Sequence, residues 1–95
     1  MSGRILVVDD QRANVEMMEG ILQARGYQVI TAPSGDAALE QVRAANPDLV
    51  VSDILMPGMD GYELCRRLRA QAATALLPVI LVTSLGATDE RVKGL

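Results

Sequence analysis

This 95-residue chain contains no histidine, tryptophan or phenylalanine, and Cys65 is its single cysteine. The absence of histidine excludes His-based zinc sites and Ser–His or Cys–His catalysis. A lone cysteine cannot form an intrachain disulfide, which fits a reducing, cytoplasmic compartment. With only Tyr27 and Tyr62 as aromatics, the core must be aliphatic.

No apolar run approaches the ~20 residues of a membrane span. Nothing at the amino terminus resembles a signal peptide, because only four apolar residues separate Arg4 from two acids. No basic patch with interleaved aromatics appears, which argues against direct nucleic-acid binding. Since hydrophobic residues make up 49% of the chain, we expect one globular, cytoplasmic domain that neither enters a membrane nor binds nucleic acid itself.

Short apolar runs alternate with amphipathic segments. Strands are predicted at 4–8, 28–32, 49–52 and 79–83. Helices are predicted at 13–24, from an N-cap at Ser34 to about residue 45, at 62–71, and from Thr88 or Asp89 to Leu95. The first helix owes its apolar stripe to Val15, Met18, Ile21 and Leu22. The alternation predicts an α/β fold: a doubly wound parallel sheet with helices on both faces.

Three aspartates close two of the predicted strands. Asp9 and Asp10 follow the first strand, and Asp53 follows the third. The carboxyl ends of neighbouring parallel strands meet in the crevice where open α/β sheets bind ligands. Carboxylates at that range repel, so the pattern indicates a hard divalent cation held by oxygen. The alternative interpretation is that Asp9 and Asp10 merely cap the first helix.

Three segments together carry a likeness to a known family. They are Ile-Leu-Val-Val-Asp-Asp at 5–10, Asp53 with Met-Pro-Gly-Met-Asp-Gly at 56–61, and Pro-Val-Ile-Leu-Val-Thr at 78–83. Over its whole length, 1–95, the chain closely resembles the receiver domain of bacterial two-component response regulators. The opening through Asn14 is loosely similar to receivers that precede diguanylate cyclase domains. The resemblance implies a flavodoxin-like sheet of strand order 2-1-3-4.

The resemblance implies roles for particular residues. Asp53 would accept a phosphoryl group from a histidine kinase, and Thr83 would supply the switch hydroxyl, with Ser84 as a less favoured substitute. Asp9, Asp10, Asp53 and the backbone carbonyl of Leu55 would bind Mg²⁺. A C-terminal output domain would read the switch.

The domain is then not an enzyme beyond self-phosphorylation and slow self-dephosphorylation. Dephosphorylation should be slow because Leu55 and Leu85 are apolar and cannot orient an attacking water. A phosphohydrolase with an Asp nucleophile is disfavoured, since a second acid usually stands where this chain has Leu55.

The chain departs from the family pattern after residue 83. We expect a domain incomplete at its C-terminus, without the fifth strand and helix or the family's phosphoryl-binding lysine, which Lys93 cannot replace. The fourth strand would become an exposed apolar edge that can pair with a second copy. The alternative function is therefore a non-phosphorylated pseudo-receiver or dimerising interaction module.

Smaller features have structural interpretations. Asp60 and Gly61 are predicted to form a turn with an N-cap, Gly61 giving the backbone freedom there. Cys65 is interpreted as a buried small hydrophobe, and Met17, Met18, Met56 and Met59 as core or loop filling.

Overall fold

The computed structural model describes residues 3–83 and contains seven elements within them. The strands are β1 (Arg4–Val8), β2 (Gln28–Ala32), β3 (Leu49–Asp53) and β4 (Val79–Val82). The helices are α1 (Arg12–Ala24), α2 (Gly35–Ala45) and α3 (Gly61–Arg69). This order confirms the predicted alternation of strands and helices. The predicted helix near residues 88–95, together with Ser84, Leu85 and Lys93, lies outside the described residues.

All pairings in the sheet are parallel, and the strand order is β2-β1-β3-β4, as predicted. The register places Val8 beside both Ala32 and Ser52. It also places Asp53 beside Val82. The carboxyl ends of β1, β3 and β4 therefore lie side by side.

Side chains of β1 alternate between two apolar layers, as expected for a strand covered on both faces. Leu6 and Val8 join the larger core cluster, which α2 and α3 cover. Ile5 and Val7 join the smaller cluster, against which Met18 of α1 packs. Buried members of the larger cluster include Ala38, Val42, Val50, Leu64 and Leu68.

Side-chain caps fix the starts of two helices. The Ser34 hydroxyl accepts the Ala37 N–H at 3.1 Å, as its predicted N-cap role requires. Asp60 Oδ1 accepts the Glu63 N–H at 2.8 Å, which confirms the predicted N-cap. Because the cap is Asp60, α3 begins at Gly61, one residue earlier than predicted. It also ends at Arg69 rather than residue 71, where the chain turns.

Three predictions about packing are wrong, those for Ile21, Met17 and Cys65. Ile21 and Met17 are each 49% exposed, although the first was placed on the apolar stripe of α1 and the second among the filling residues. The reason is that α1 packs mainly over β1 and β2, so the edges of its apolar stripe extend beyond the strands below. Cys65 is half-buried rather than buried. None of the helices within residues 3–83 combines the length and apolarity needed to cross a membrane.

Candidate functional site

The predicted trio of aspartates converges at the carboxyl edge of the sheet. Asp9 and Asp10 follow β1, and Asp53 is the last residue of β3, the strand paired with β1. One carboxylate oxygen from each aspartate lies within 4.8 Å of the others. We call these three residues the acidic cluster.

Burial makes the acidic cluster electrostatically costly. Asp53 is fully buried and Asp9 is 1% exposed, whereas Asp10 faces solvent. Burial raises the pKa of Asp9, and the charges of Asp53 and Asp10 raise it further. The backbone N–H of Gln11 and the side-chain amide of Asn14 lower the pKa of Asp9 and so offset part of this increase.

The two carboxylate oxygens of Asp9 have different surroundings. Oδ1 accepts the Gln11 N–H at 2.9 Å, next to the start of α1. The alternative interpretation of Asp9 as a helix cap therefore accounts for Oδ1 alone. Oδ2 is buried and accepts no hydrogen bond from the described residues. A bound cation would satisfy it, and a set of carboxylate oxygens is the donor chemistry that Mg²⁺ prefers. The residues present thus fit a magnesium ion.

The loop of residues 54–60, between β3 and α3, forms one wall of the site. The Leu55 N–H donates to Asp53 Oδ1 at 3.3 Å. The Gly61 N–H donates to the Ile54 carbonyl at 2.9 Å and closes the loop. A cavity of about 430 Å³ lies between Asp10 and the loop; its other lining residues are Leu55, Met56, Pro57, Gly58 and Asp60. A small ligand can therefore approach Asp10 from the loop side.

Gly61 is required for a reason other than the predicted backbone freedom. The positive-φ glycines among the described residues are Gly26 and Gly58, not Gly61. A Cβ on Gly61 would instead lie 2.6 Å from the Asp53 carbonyl oxygen and 2.9 Å from Ile54 Cα. Glycine here permits the start of α3 to lie directly against the end of β3.

Thr83 lies at the same edge of the sheet. It follows Val82, whose register partner is Asp53 and whose carbonyl accepts the Ile54 N–H at 2.9 Å. Thr83 is exposed. The role of its hydroxyl as the switch stays a prediction.

Sequence reasoning missed two residues beside Asp9. Asn14 is 7% exposed, and its side-chain amide donates to Gln11 Oε1 at 3.2 Å. Asn14 lies one helical turn before Met18, on the stripe of α1 that faces the sheet. The sequence did contain a signal for this contact, because Asn14 is a polar residue on the otherwise apolar stripe of α1.

The family model for the response regulator receiver domain matches residues 5–95. The chain belongs to this family. Two relatives match over all 95 residues: response regulator PleD of Caulobacter vibrioides, at 45% identity, and the alkaline phosphatase synthesis transcriptional regulatory protein PhoP of Bacillus subtilis, at 38%. This receiver domain spans 21% of PleD and 39% of PhoP.

Solved structures of receivers share the fold. The N-terminal domain of a response regulator receiver protein from Methanoculleus marisnigri superposes with a TM-score of 0.84 at 40% identity, over 97% of this chain and 75% of that one. Chemotaxis protein CheY4 of Vibrio cholerae superposes with a TM-score of 0.83 at 31% identity, over 98% of this chain and 77% of that one. These neighbours confirm the flavodoxin-like fold for this receiver domain.

Proposed function

We propose that this receiver domain is a cytoplasmic phospho-accepting switch in which Asp53 takes a phosphoryl group from a histidine kinase. The observation that carries the proposal is the acidic cluster, in which two buried carboxylates and an exposed one converge at the carboxyl edge of the sheet. Burial of like charges costs free energy, and titratable groups in such surroundings cluster at functional sites.

Asp53 needs no general base, because an ionised carboxylate is already a nucleophile. One of its oxygens bonds to phosphorus while the bond between phosphorus and the kinase's imidazole nitrogen breaks. The electron pair of the broken bond stays with the imidazole, which is released and takes up a proton from solvent if it leaves as an anion. The Leu55 N–H, already donating to Asp53 Oδ1, keeps the carboxylate oriented for the attack.

Asp9, Asp10, Asp53 and the backbone carbonyl of Leu55 would hold Mg²⁺. When bound, the ion supplies positive charge that offsets the carboxylates and the phosphoryl oxygens. Asp9 would contribute its buried Oδ2, since Oδ1 already accepts the Gln11 N–H. The Gln11 N–H and the Asn14 side-chain amide, both hydrogen-bonded to Asp9, keep the Asp9 side chain in place.

Thr83 would carry the signal away from Asp53. Phosphorylation adds about −1.5 to −2 charge and new acceptor oxygens. The Thr83 hydroxyl donates to one of them, which moves the end of β4 and changes the surface beyond it. An output domain elsewhere in a longer protein would read this change. The apolar Leu55 cannot orient a water, so the phosphoryl group is lost slowly.

Chemical trapping of the acyl phosphate tests this assignment. After incubation with acetyl phosphate and Mg²⁺, borohydride reduction converts an aspartyl phosphate to homoserine, which peptide mass mapping locates. We expect conversion at residue 53 and nowhere else. Conversion at Asp9, Asp10 or Asp60 instead would contradict the assignment.

A second candidate function is an interaction module that pairs through β4. Within residues 3–83, β4 is one of the two outer strands of the sheet, and its Ile80 is 48% exposed. An apolar edge of this kind is a template for pairing with a second copy. Sedimentation of the wild type and of Ile80→Lys tests it: a dimer that the substitution dissociates supports the module, and a wild-type monomer contradicts it.

A further inference from the structure

The loop of residues 54–60 is held at both ends. At one end, the Leu55 N–H donates to Asp53 Oδ1 at 3.3 Å. At the other, the Gly61 N–H reaches back to the Ile54 carbonyl, and the carboxylate of Asp60 caps α3. A loop so short cannot absorb a displacement of one residue without moving its other residues. A contact that fixes any residue of the loop therefore influences Leu55 and Asp53.

Two side chains of the loop pack on the larger core cluster, those of Met56 and Met59, and the Met59 side chain is the one that lies against the start of α2. A Cβ built on Gly35, the buried first residue of α2, would lie 2.6 Å from Met59 Sδ and 2.9 Å from both Cβ and Cγ. Such separations are shorter than real Cβ contacts. Because Cβ of Met59 is fixed to the main chain, turning the tip of the side chain cannot relieve the clash.

Nothing in the local backbone asks for glycine at position 35. Gly35 is not among the positive-φ residues of the described chain. In helical positions glycine costs about 1 kcal/mol relative to alanine. The Ser34 cap next to it does not depend on a missing side chain. Among residues 3–83, the feature that requires glycine at position 35 is the contact with Met59.

We propose that Gly35 is a positioning residue for the acceptor site: it forms the seat for Met59 and thereby fixes the loop that carries Leu55 to Asp53. Gly35 is not among the residues proposed to hold the phosphoryl group or the metal. The effect of this seat on Mg²⁺ and phosphoryl transfer rests on the proposed function, whereas its effect on loop geometry does not.

Four variants of the full chain test the seat. They are Gly35→Ala, Met59→Ala, the double variant Gly35→Ala/Met59→Ala, and Gly20→Ala as the matched control. Gly20 lies on the exposed side of α1, and a Cβ there meets nothing within 4 Å. The measurements are amide hydrogen exchange at Leu55 and Gly61 without metal, and the Mg²⁺ concentration for half-maximal phosphorylation by acetyl phosphate.

Gly35→Ala should speed exchange at both amides by about tenfold or more relative to Gly20→Ala, because the displaced loop strains their hydrogen bonds. It should also raise the half-maximal Mg²⁺ concentration on the order of tenfold. The double variant should return both quantities to within about threefold of Met59→Ala, since removing the methionine side chain makes room for the new methyl group.

Two results would overturn the seat: Gly35→Ala exchanging like Gly20→Ala, or a defect that Met59→Ala does not rescue. If Gly35→Ala alone does not fold, the double variant decides, and an unfolded double variant overturns the proposal. Wild-type chain that takes neither Mg²⁺ nor phosphoryl would sink the proposed function, while amide exchange would still decide whether Gly35 positions the loop.

Discussion

The two ends of the sheet arrange their charged side chains in opposite ways. At the amino-terminal end, the Arg4 main-chain N–H donates to Asp48 at 2.8 Å. The Arg4 guanidinium donates to Gln28 Oε1 at 3.0 Å and also to the Ala45 carbonyl at the end of α2. At the carboxyl-terminal end, the acidic cluster brings three charges of one sign within 4.8 Å.

This contrast separates the contribution of charge to stability from its contribution to chemistry. Arg4 links β1, β2 and the end of α2 through opposite partial and formal charges, which stabilises the fold. The acidic cluster concentrates repulsion and desolvation, and the raised pKa of Asp9 reflects that cost. Proteins tolerate such local conflict mainly where function requires it. We therefore expect substitutions at the two ends to affect different properties.

The largest effect should follow from Asp10→Asn. Loss of a carboxylate at the proposed metal site should weaken Mg²⁺ binding by at least on the order of 10- to 100-fold, the loss seen even for outer-shell partners. Calorimetric titration measures it, with Glu40→Gln, an exposed acid on α2, as the control for total charge. Equal Mg²⁺ affinities of Asp10→Asn and Glu40→Gln would show that Asp10 does not bind the metal.

Arg4→Ala should act on stability and leave the metal site alone. Removing the guanidinium costs its hydrogen bonds to Gln28 and Ala45, so the free energy of unfolding should fall by about 1–3 kcal/mol. Denaturant unfolding measures this fall. The free energy of unfolding of Arg4→Lys should lie between those of the wild type and Arg4→Ala, because lysine keeps the charge but lacks the planar guanidinium. A shifted Mg²⁺ affinity in Arg4→Ala would show that the two ends are not independent.

Asp9→Asn should stabilise the metal-free protein. The substitution removes a buried charge next to Asp53, while the amide oxygen still accepts the Gln11 N–H. The free energy of unfolding in EDTA at neutral pH should rise, because burial and the charge of Asp53 disfavour the ionised form of Asp9. Thermal melting checks the sign. A variant that melts below the wild type in EDTA would mean that the acidic cluster does not strain the fold.

The smallest effect should come from Glu63, a half-buried acid on α3. Hydrogen bonds from Arg66 and Arg67 lower the pKa of Glu63 below its ordinary value of 4.5. A lowered folded-state pKa stabilises the fold above pH 4.5, and that stabilisation is lost as the pH falls through the folded-state pKa. Glu63→Gln should therefore lower the melting temperature by about 1–2 °C at pH 7. The difference should shrink in acid and in 1 M salt, and a difference that persists in both would contradict an electrostatic origin.

Much of this architecture could be predicted because its signals are local. The apolar runs, the Ser34 and Asp60 caps and the strand-closing aspartates each depend on a few adjacent residues, and parallel pairing brings the aspartates together. The Gly35–Met59 contact and the close approach of Gly61 to Asp53 depend on how distant segments pack. Neither contact produces a periodic residue pattern from which it could be predicted. For the same reason Ile21, apolar by pattern, is half exposed: the pattern does not show how far the sheet extends beneath α1.

Intact mass after incubation with acetyl phosphate tests the central claim most directly. The wild type should gain one phosphoryl group in Mg²⁺ and none in EDTA, and Asp53→Asn should gain none in either. A folded wild type that gains nothing in Mg²⁺, or an Asp53→Asn variant that gains as much as the wild type, would contradict phosphoryl acceptance at the acidic cluster.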